Sequence, residues 1–221
     1  MFEKLKELFG SENLLAEAGD ITVKMMEFDH KMFEASRHSL RDTDTADLPF
    51  DFKEMDQEIN RYEREVRRHV LTHLSVAGTQ NLVPGLALVS IVIDVERIGD
   101  YTKNIAELAV HHPERLGGGV HEDTLKSIER VIEQNFPVVI DALKTHSTDH
   151  AREVMAREPE VSTNSDRVVN ELITQRDPDH TRSDAVSMAL YTRYLKRINA
   201  HLTNIASSMV NPFPRIGFRE K

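Results

Sequence analysis

Glu96 and Asp100 stand four residues apart in the stretch Asp94-Val95-Glu96-Arg97-Ile98-Gly99-Asp100. In a helix that spacing puts both carboxylates on one face. Lys103 and Glu107 extend the same side, and upstream Asp56, Asn60 and Glu63 repeat the pattern at i, i+4 and i+7. Two such stripes on antiparallel helices would meet and offer several oxygen ligands, the donor set of a hard or borderline cation. The same spacing describes the solvated outer face of an amphipathic helix, the commoner arrangement at this charge content. Spacing alone leaves both readings open.

Other residue groups carry less. His69 and His73 have the i, i+4 spacing of a helical zinc chelate, but Val70, Leu71 and Thr72 between them lack the glutamate of His-Glu-x-x-His. With Arg64, Arg67 and Arg68 nearby, the pair reads as an ordinary exposed helix face. His111 and His112 fall at a helix end, where an imidazolium favours the dipole. Gly117-Gly118-Gly119 has no Lys-Ser/Thr after it, so it reads as a connector and not a phosphate loop. Arg61, Arg64, Arg67 and Arg68, threaded with Glu63 and Glu65, form either a solvated mixed-charge face or a dock for an acidic partner.

The elements that must position these residues are helices. Apolar residues recur at helical spacing, and two-residue alternation is never sustained. The breaks predict six segments: Ser11 to about Arg41; Asp51, with Glu54 three residues on, to about Gly78; Asn81–Pro84 to about His112; His121 to His146, with a kink at Pro137; Ser147 or Thr148 to about Gln175, bending at Pro159; and, after Asp177-Pro178 and Thr181, a last helix to about Val210.

Composition narrows the function. The chain has 221 residues and a formal charge of −9, which weighs against a general nucleic-acid binder. It has no cysteine, so thiolate metal sites, disulfides and Cys nucleophiles are excluded. The most apolar stretch, Leu82 to Val95, is interrupted by Pro84, Gly85 and Asp94. No membrane span is expected from it, and the mixed-charge N-terminal stretch has no long apolar region of a signal peptide. A cytoplasmic location is the expectation.

An internal repeat organises the helices. Shifted by 100 residues, Val95–Ala106 falls on Leu195–Ala206, and Arg, Ile, Asn, Ile and Ala coincide, where chance gives about one match in twelve. The seam Ile91, Val95, Ile98, Thr102, Ile105, Ala109 returns as Tyr191, Leu195, Ile198, Leu202, Ile205, Met209. The third and sixth helices are therefore equivalent members of two tandem three-helix bundles in an all-α fold, divided at 1–116 and 117–221.

The stretch Asp94-Val95-Glu96-Arg97-Ile98-Gly99-Asp100-Tyr101-Thr102-Lys103-Asn104-Ile105-Ala106 strongly resembles the (D)LERIGD…NIA segment of the PhoU family of phosphate-uptake regulators. That family has two three-helix repeats, each with an E/D-x-x-x-D motif. Asp56-Gln57-Glu58-Ile59-Asn60 is similar to its upstream acid-x-x-x-Asn/Asp segment, and Glu160-Val161-Ser162-Thr163-Asn164 to the second copy of that segment.

The resemblance implies a cytoplasmic, non-enzymatic adaptor, homodimeric in many members, that represses phosphate uptake and the phosphate-starvation response. Its implied partners are the ATPase subunit of a phosphate transporter and a sensor histidine kinase, with no nucleic acid and the membrane reached only through partners. The alternative is an accessory subunit of a sodium- or proton-coupled phosphate carrier. Some members bind iron or zinc, which implies Asp56, Asn60, Glu96 and Asp100 as first-repeat ligands. The second repeat departs from the motif: Lys196 stands where Glu96 does and Ala200 where Asp100 does. An ammonium supplies no lone pair, so the second metal site is expected to be lost, with Glu160 or Asp166 pairing with Lys196 instead. The apolar tail after Pro212, with Phe213, Ile216 and Phe218, either folds back or meets a partner.

Overall fold

A computed structural model describes residues 11–112, 114–174 and 182–220. Six α-helices follow one another among them: α1 Ser11–Asp42, α2 Phe52–Ala77, α3 Leu82–His111, α4 Glu122–Thr145, α5 Thr148–Thr174 and α6 Arg182–Val210. Short 3-10 turns lie at Gly78–Asn81, Gly119–His121 and Phe213–Arg215, and the described residues contain no strand. The predicted helix end at Gln175 and the start signals Asp177-Pro178 and Thr181 lie outside the described residues. No described helix is long and apolar enough to cross a membrane.

The local signals act where their chemistry places them. Asp51 caps α2, its Oδ1 accepting from the backbone N–H groups of Lys53 and Glu54 at 2.9 and 3.1 Å. The helices α4 and α5 continue across Pro137 and Pro159. The triple glycine is a connector, with Gly119 at φ 49°, a conformation that a side chain would strain.

Packing divides the helices as the repeat requires. α1, α2 and α3 pack on one another, α4, α5 and α6 do the same, and α3 against α6 joins the two groups, with α1 against α4 beside it. The predicted seam is the core: Ile91, Val95, Ile98, Thr102, Ile105 and Ala109 are buried, as are Tyr191, Leu195, Ile198, Leu202 and Ile205. Met209 is only partly buried, packed against that core.

Polar groups lock the repeats together. At the α3–α6 junction, Asp94 Oδ1 accepts from His201 Nδ1 at 2.7 Å and from Asn204 Nδ2 at 3.0 Å. A second lock is buried: Arg41 Nε donates to Glu129 Oε1 at 2.8 Å, and Tyr191 donates to the same oxygen at 2.8 Å. Arg41 also pairs with Glu122 at 2.9 Å and donates to the Leu116 carbonyl, so one guanidinium ties α1, the connector and α4 together. The tail folds back. Glu220 takes a two-pronged pair from Arg152, both at 2.9 Å, and Gly217 donates its N–H to Ser207 Oγ at 2.7 Å.

Candidate functional site

The four-residue turn after α2 sends α3 back antiparallel, and the two acidic stripes meet. Val70 and Leu74 of α2 lie against Gly85 of α3, Ile59 lies against Gly99, and Lys103 Nζ reaches Asp56 Oδ1 at 3.2 Å. Glu96 has Asp100, Glu63 and Asp56 within electrostatic reach. Burial first, then Asp100, pushes the Glu96 carboxyl above its usual range, with Glu63 and Asp56 adding to this and Arg97 opposing it.

Each side chain of the implied ligand set already has a partner. Asp56 holds Lys103, and Asn60 turns its amide back to the Asp56 carbonyl at 2.9 Å. Arg97 lies 3.6 Å from Glu96 and 3.4 Å from Asp100. Glu63 pairs with Arg67 at 2.7 Å. Among the described residues, no three His, Asp or Glu side chains converge to hold a metal ion as they stand. The face is closed by the protein's own cations.

One acid beneath this face is different. Asp29 of α1 falls in the helix's apolar stripe, between the buried Met25 and Met26 on one side and Met32 and Phe33 on the other. It is 0% exposed, and neither carboxylate oxygen has a hydrogen-bond partner. It lies against Gly99, where a Cβ would stand 2.9 Å from Asp29 Oδ1. Glycine at this point of the motif leaves room for the Asp29 carboxylate against α3. Burial first, then Glu96 and Asp100, holds the Asp29 carboxyl well above the usual carboxylate range. The donor chemistry, all carboxylate oxygen around an orphaned buried acid, fits a hard or borderline cation.

The second repeat builds the same place from other groups. Lys196 Nζ donates to both oxygens of Asp166 at 2.6 Å, so Asp166 and not Glu160 is its partner. Asn199 replaces Gly99, and it accepts from Asn135 Nδ2 at 2.9 Å. Matching buried Met25, Met26, Met32 and Phe33 of α1 to buried Ile128, Glu129, Asn135 and Phe136 of α4 puts Ile132 where Asp29 stands, with Asn135 one turn on. Arg157 donates to the Asn135 Oδ1 at 2.9 Å. Matching buried Ile59 and Val66 to buried Val161 and Val168 makes Glu158, not Glu160, the counterpart of Asp56. Glu158 and Ala200 line a cleft that the tail residues Phe218 and Glu220 also line.

Several features escape the spacing argument. Asp94, inside the motif, belongs to the α3–α6 junction. His73 is fully buried, with Nε2 3.0 Å from Asn81 Nδ2, because its position falls on the inner stripe of α2 with Val66 and Val70. It is not part of an exposed face. His111 turns its ring back to the Glu107 carbonyl at 2.7 Å, and His112 meets Asp184 at 3.0 Å. Arg61 and Arg67 pair with Glu58 and Glu63 on a mixed-charge surface. A groove of about 910 Å³, lined by Leu15, Val83, Leu88, Met209 and Phe213, lies toward the starts of α1 and α3.

The arrangement of helices and motif has counterparts in known proteins. The chain is 26% identical over 162 residues to a phosphate-specific transport system accessory protein PhoU homolog of Clostridium acetobutylicum, spanning 70% of this chain and 72% of that one. It is 27% identical over 165 residues to the corresponding protein of Synechocystis sp., spanning 72% of each. Its fold matches the crystal structure of PhoU from Pseudomonas aeruginosa with a TM-score of 0.79 at 23% identity, over 90% of this chain and 96% of that one. The phosphate transport system regulatory protein PhoU of Streptococcus pneumoniae gives 0.67 at 16% identity, over 95% of each. The PhoU domain model matches residues 22–109 and again 125–209, one stretch in each three-helix group, and the chain belongs to the PhoU domain family.

Proposed function

We propose that this chain is a regulatory accessory protein of a phosphate transport system, working in the cytoplasm as an adaptor and not as an enzyme. The observation that carries the reading is the double PhoU match along both repeats, together with relatives named as phosphate-transport accessory proteins over about 70% of both chains. In this reading the chain, as a homodimer, contacts a transporter ATPase subunit and a sensor histidine kinase, and it represses uptake and the phosphate-starvation response when phosphate is ample.

The acidic face of the first repeat is where a divalent cation, iron or zinc, would be held. Asp56, Asn60, Glu96 and Asp100 supply the donors, and the ion would neutralise a face that otherwise relies on Arg97 and Lys103. Both resident pairs are partly exposed and longer than 3 Å, so displacing them costs about 1 kcal/mol or less each. The Lys196–Asp166 pair supports assigning the cation to the first repeat alone.

The test is the output of a phosphate-starvation reporter in a strain lacking this chain, grown in ample phosphate. High output is expected. Unchanged output with altered phosphate uptake would transfer the chain to a coupled phosphate carrier and overturn the kinase branch of the reading.

A further inference from the structure

We propose that Asp29 is the buried anchor of the first-repeat cation site, a ligand contributed by α1 beneath the acidic faces of α2 and α3. The inference rests on the reading that this face binds a cation, and it assigns a residue outside the E/D-x-x-x-D motif and its facing helix.

Three observations converge on Asp29. Its carboxylate is 0% exposed, and both oxygens are without a partner. Buried carboxylates are normally hydrogen-bonded or paired, because desolvating an unpaired charge is among the costliest events in a fold. The oxygen is aimed at the motif: Gly99, between Glu96 and Asp100, is the residue whose missing Cβ makes room for it. The second repeat, where Lys196 and Ala200 replace the acids, has no acid at this place in its core: buried Ile132 stands there, and Asn199 meets the Asn135 amide one turn on. The acid in the core stripe therefore goes with the acids on the surface, and an aliphatic side chain goes with their loss.

A divalent ion drawn between Glu96 and Asp100 completes this arrangement. Among the described residues, the two carboxylates are held by Arg97 alone, which is 54% exposed. Released from it, they turn inward toward Asp29, and three carboxylates from two helices then surround one ion. Calcium, magnesium and manganese sites are built from such oxygen sets.

The test uses the full chain, stripped with chelator, and Mn²⁺ as the probe, read by the loss of the free-ion EPR signal and by thermal unfolding. The wild type is expected to bind Mn²⁺ and to melt higher in its presence. Asp29→Asn is expected to weaken Mn²⁺ binding about tenfold or more while the variant stays folded, since the amide keeps the size and shape of the carboxyl. Glu96→Gln with Asp100→Asn serves as the reference. If that double variant loses Mn²⁺ but Asp29→Asn binds like the wild type, Asp29 is no ligand and the inference falls alone. If the wild type takes up neither Mn²⁺ nor, by equilibrium dialysis, Zn²⁺, the acidic-face reading falls and carries the inference with it. Zn²⁺ uptake without Mn²⁺ keeps that reading and overturns the all-carboxylate site assigned to Asp29.

Discussion

Gly99 and Asn199 occupy the same place in their repeats, and each meets something different. Gly99 faces a buried carboxylate with two more acids beside it, while Asn199 faces a buried amide with Arg157 behind it. The apolar stripes of α3 and α6 are nearly superimposable in burial, yet the polar layer set on them has changed from acidic to neutral and basic. The difference teaches which constraint is strict. Aliphatic packing fixes where the helices lie, since a core tolerates little change of volume. The polar layer needs only internal consistency: Lys196, Asn199, Asn135 and Arg157 find partners among the groups of the second repeat, whereas in the first repeat Asp29 does not.

The largest break in this comparison is at Asn135. Asn135→Ala leaves the buried Asn199 carbonyl without its donor and leaves Arg157 only Glu153, and it opens a small void. The expected loss is about 3 kcal/mol, or roughly 8 °C in a chain of this size, measured by thermal and urea unfolding. A loss below about 1 kcal/mol would mean that the amide pair does not close the second repeat.

Asp29 sharpens the comparison through pH. Its carboxyl titrates above the usual range in the folded chain because of burial and its acidic neighbours, while in the unfolded chain it is ordinary. Between those two values the folded state binds the extra proton. The contribution to stability is therefore full below the ordinary carboxylate pKa and is lost as pH rises through the raised one. Metal-free wild type should lose stability from pH 4 toward pH 8 on this account. Asp29→Asn should flatten that slope and be the more stable protein at pH 8, by about 1 kcal/mol. Parallel slopes for the two proteins would show that Asp29 is compensated by a group other than those it faces.

Much of this was legible in the residues. Six helices and the repeat follow from periodicity, because a core stripe repeats every three and four residues whatever surrounds it, and the Asp51 cap follows from its residue type. The meeting of Asp56 with Lys103 follows from antiparallel packing once the turn at Gly78–Asn81 is short. Asp29 was not singled out, although its position is an apolar one, four after Met25 and four before Phe33; a charged residue on a core stripe is itself the signal. Glu160 was matched to Asp56 by residue type, whereas burial matches Glu158, since acids two residues apart look alike until the inner face is known. The arginines beside His73 suggest an outer face, yet helical geometry puts it beside Val70 and Val66. Asp94 sat within the motif and gave no sign that its partner lies on α6, because contacts between repeats leave no periodic trace.

The smallest expected effect concerns the charge reversal itself. Lys196 contacts both oxygens of Asp166 at 2.6 Å, but Asp166 is 52% exposed. Exposed pairs of this kind contribute about 0.2–1 kcal/mol, since water already solvates both charges well. Lys196→Ala should therefore cost about 0.5 kcal/mol in low salt. The difference from wild type should vanish in 1 M NaCl, where screening acts over about 3 Å. A salt-independent loss above about 2 kcal/mol would instead make the pair a clamp between α5 and α6. On the expected outcome, replacing acid by lysine left the fold of the second repeat nearly untouched and changed only what its surface attracts. Repeats that share a frame are free to diverge on such a surface, where a full change of charge costs so little.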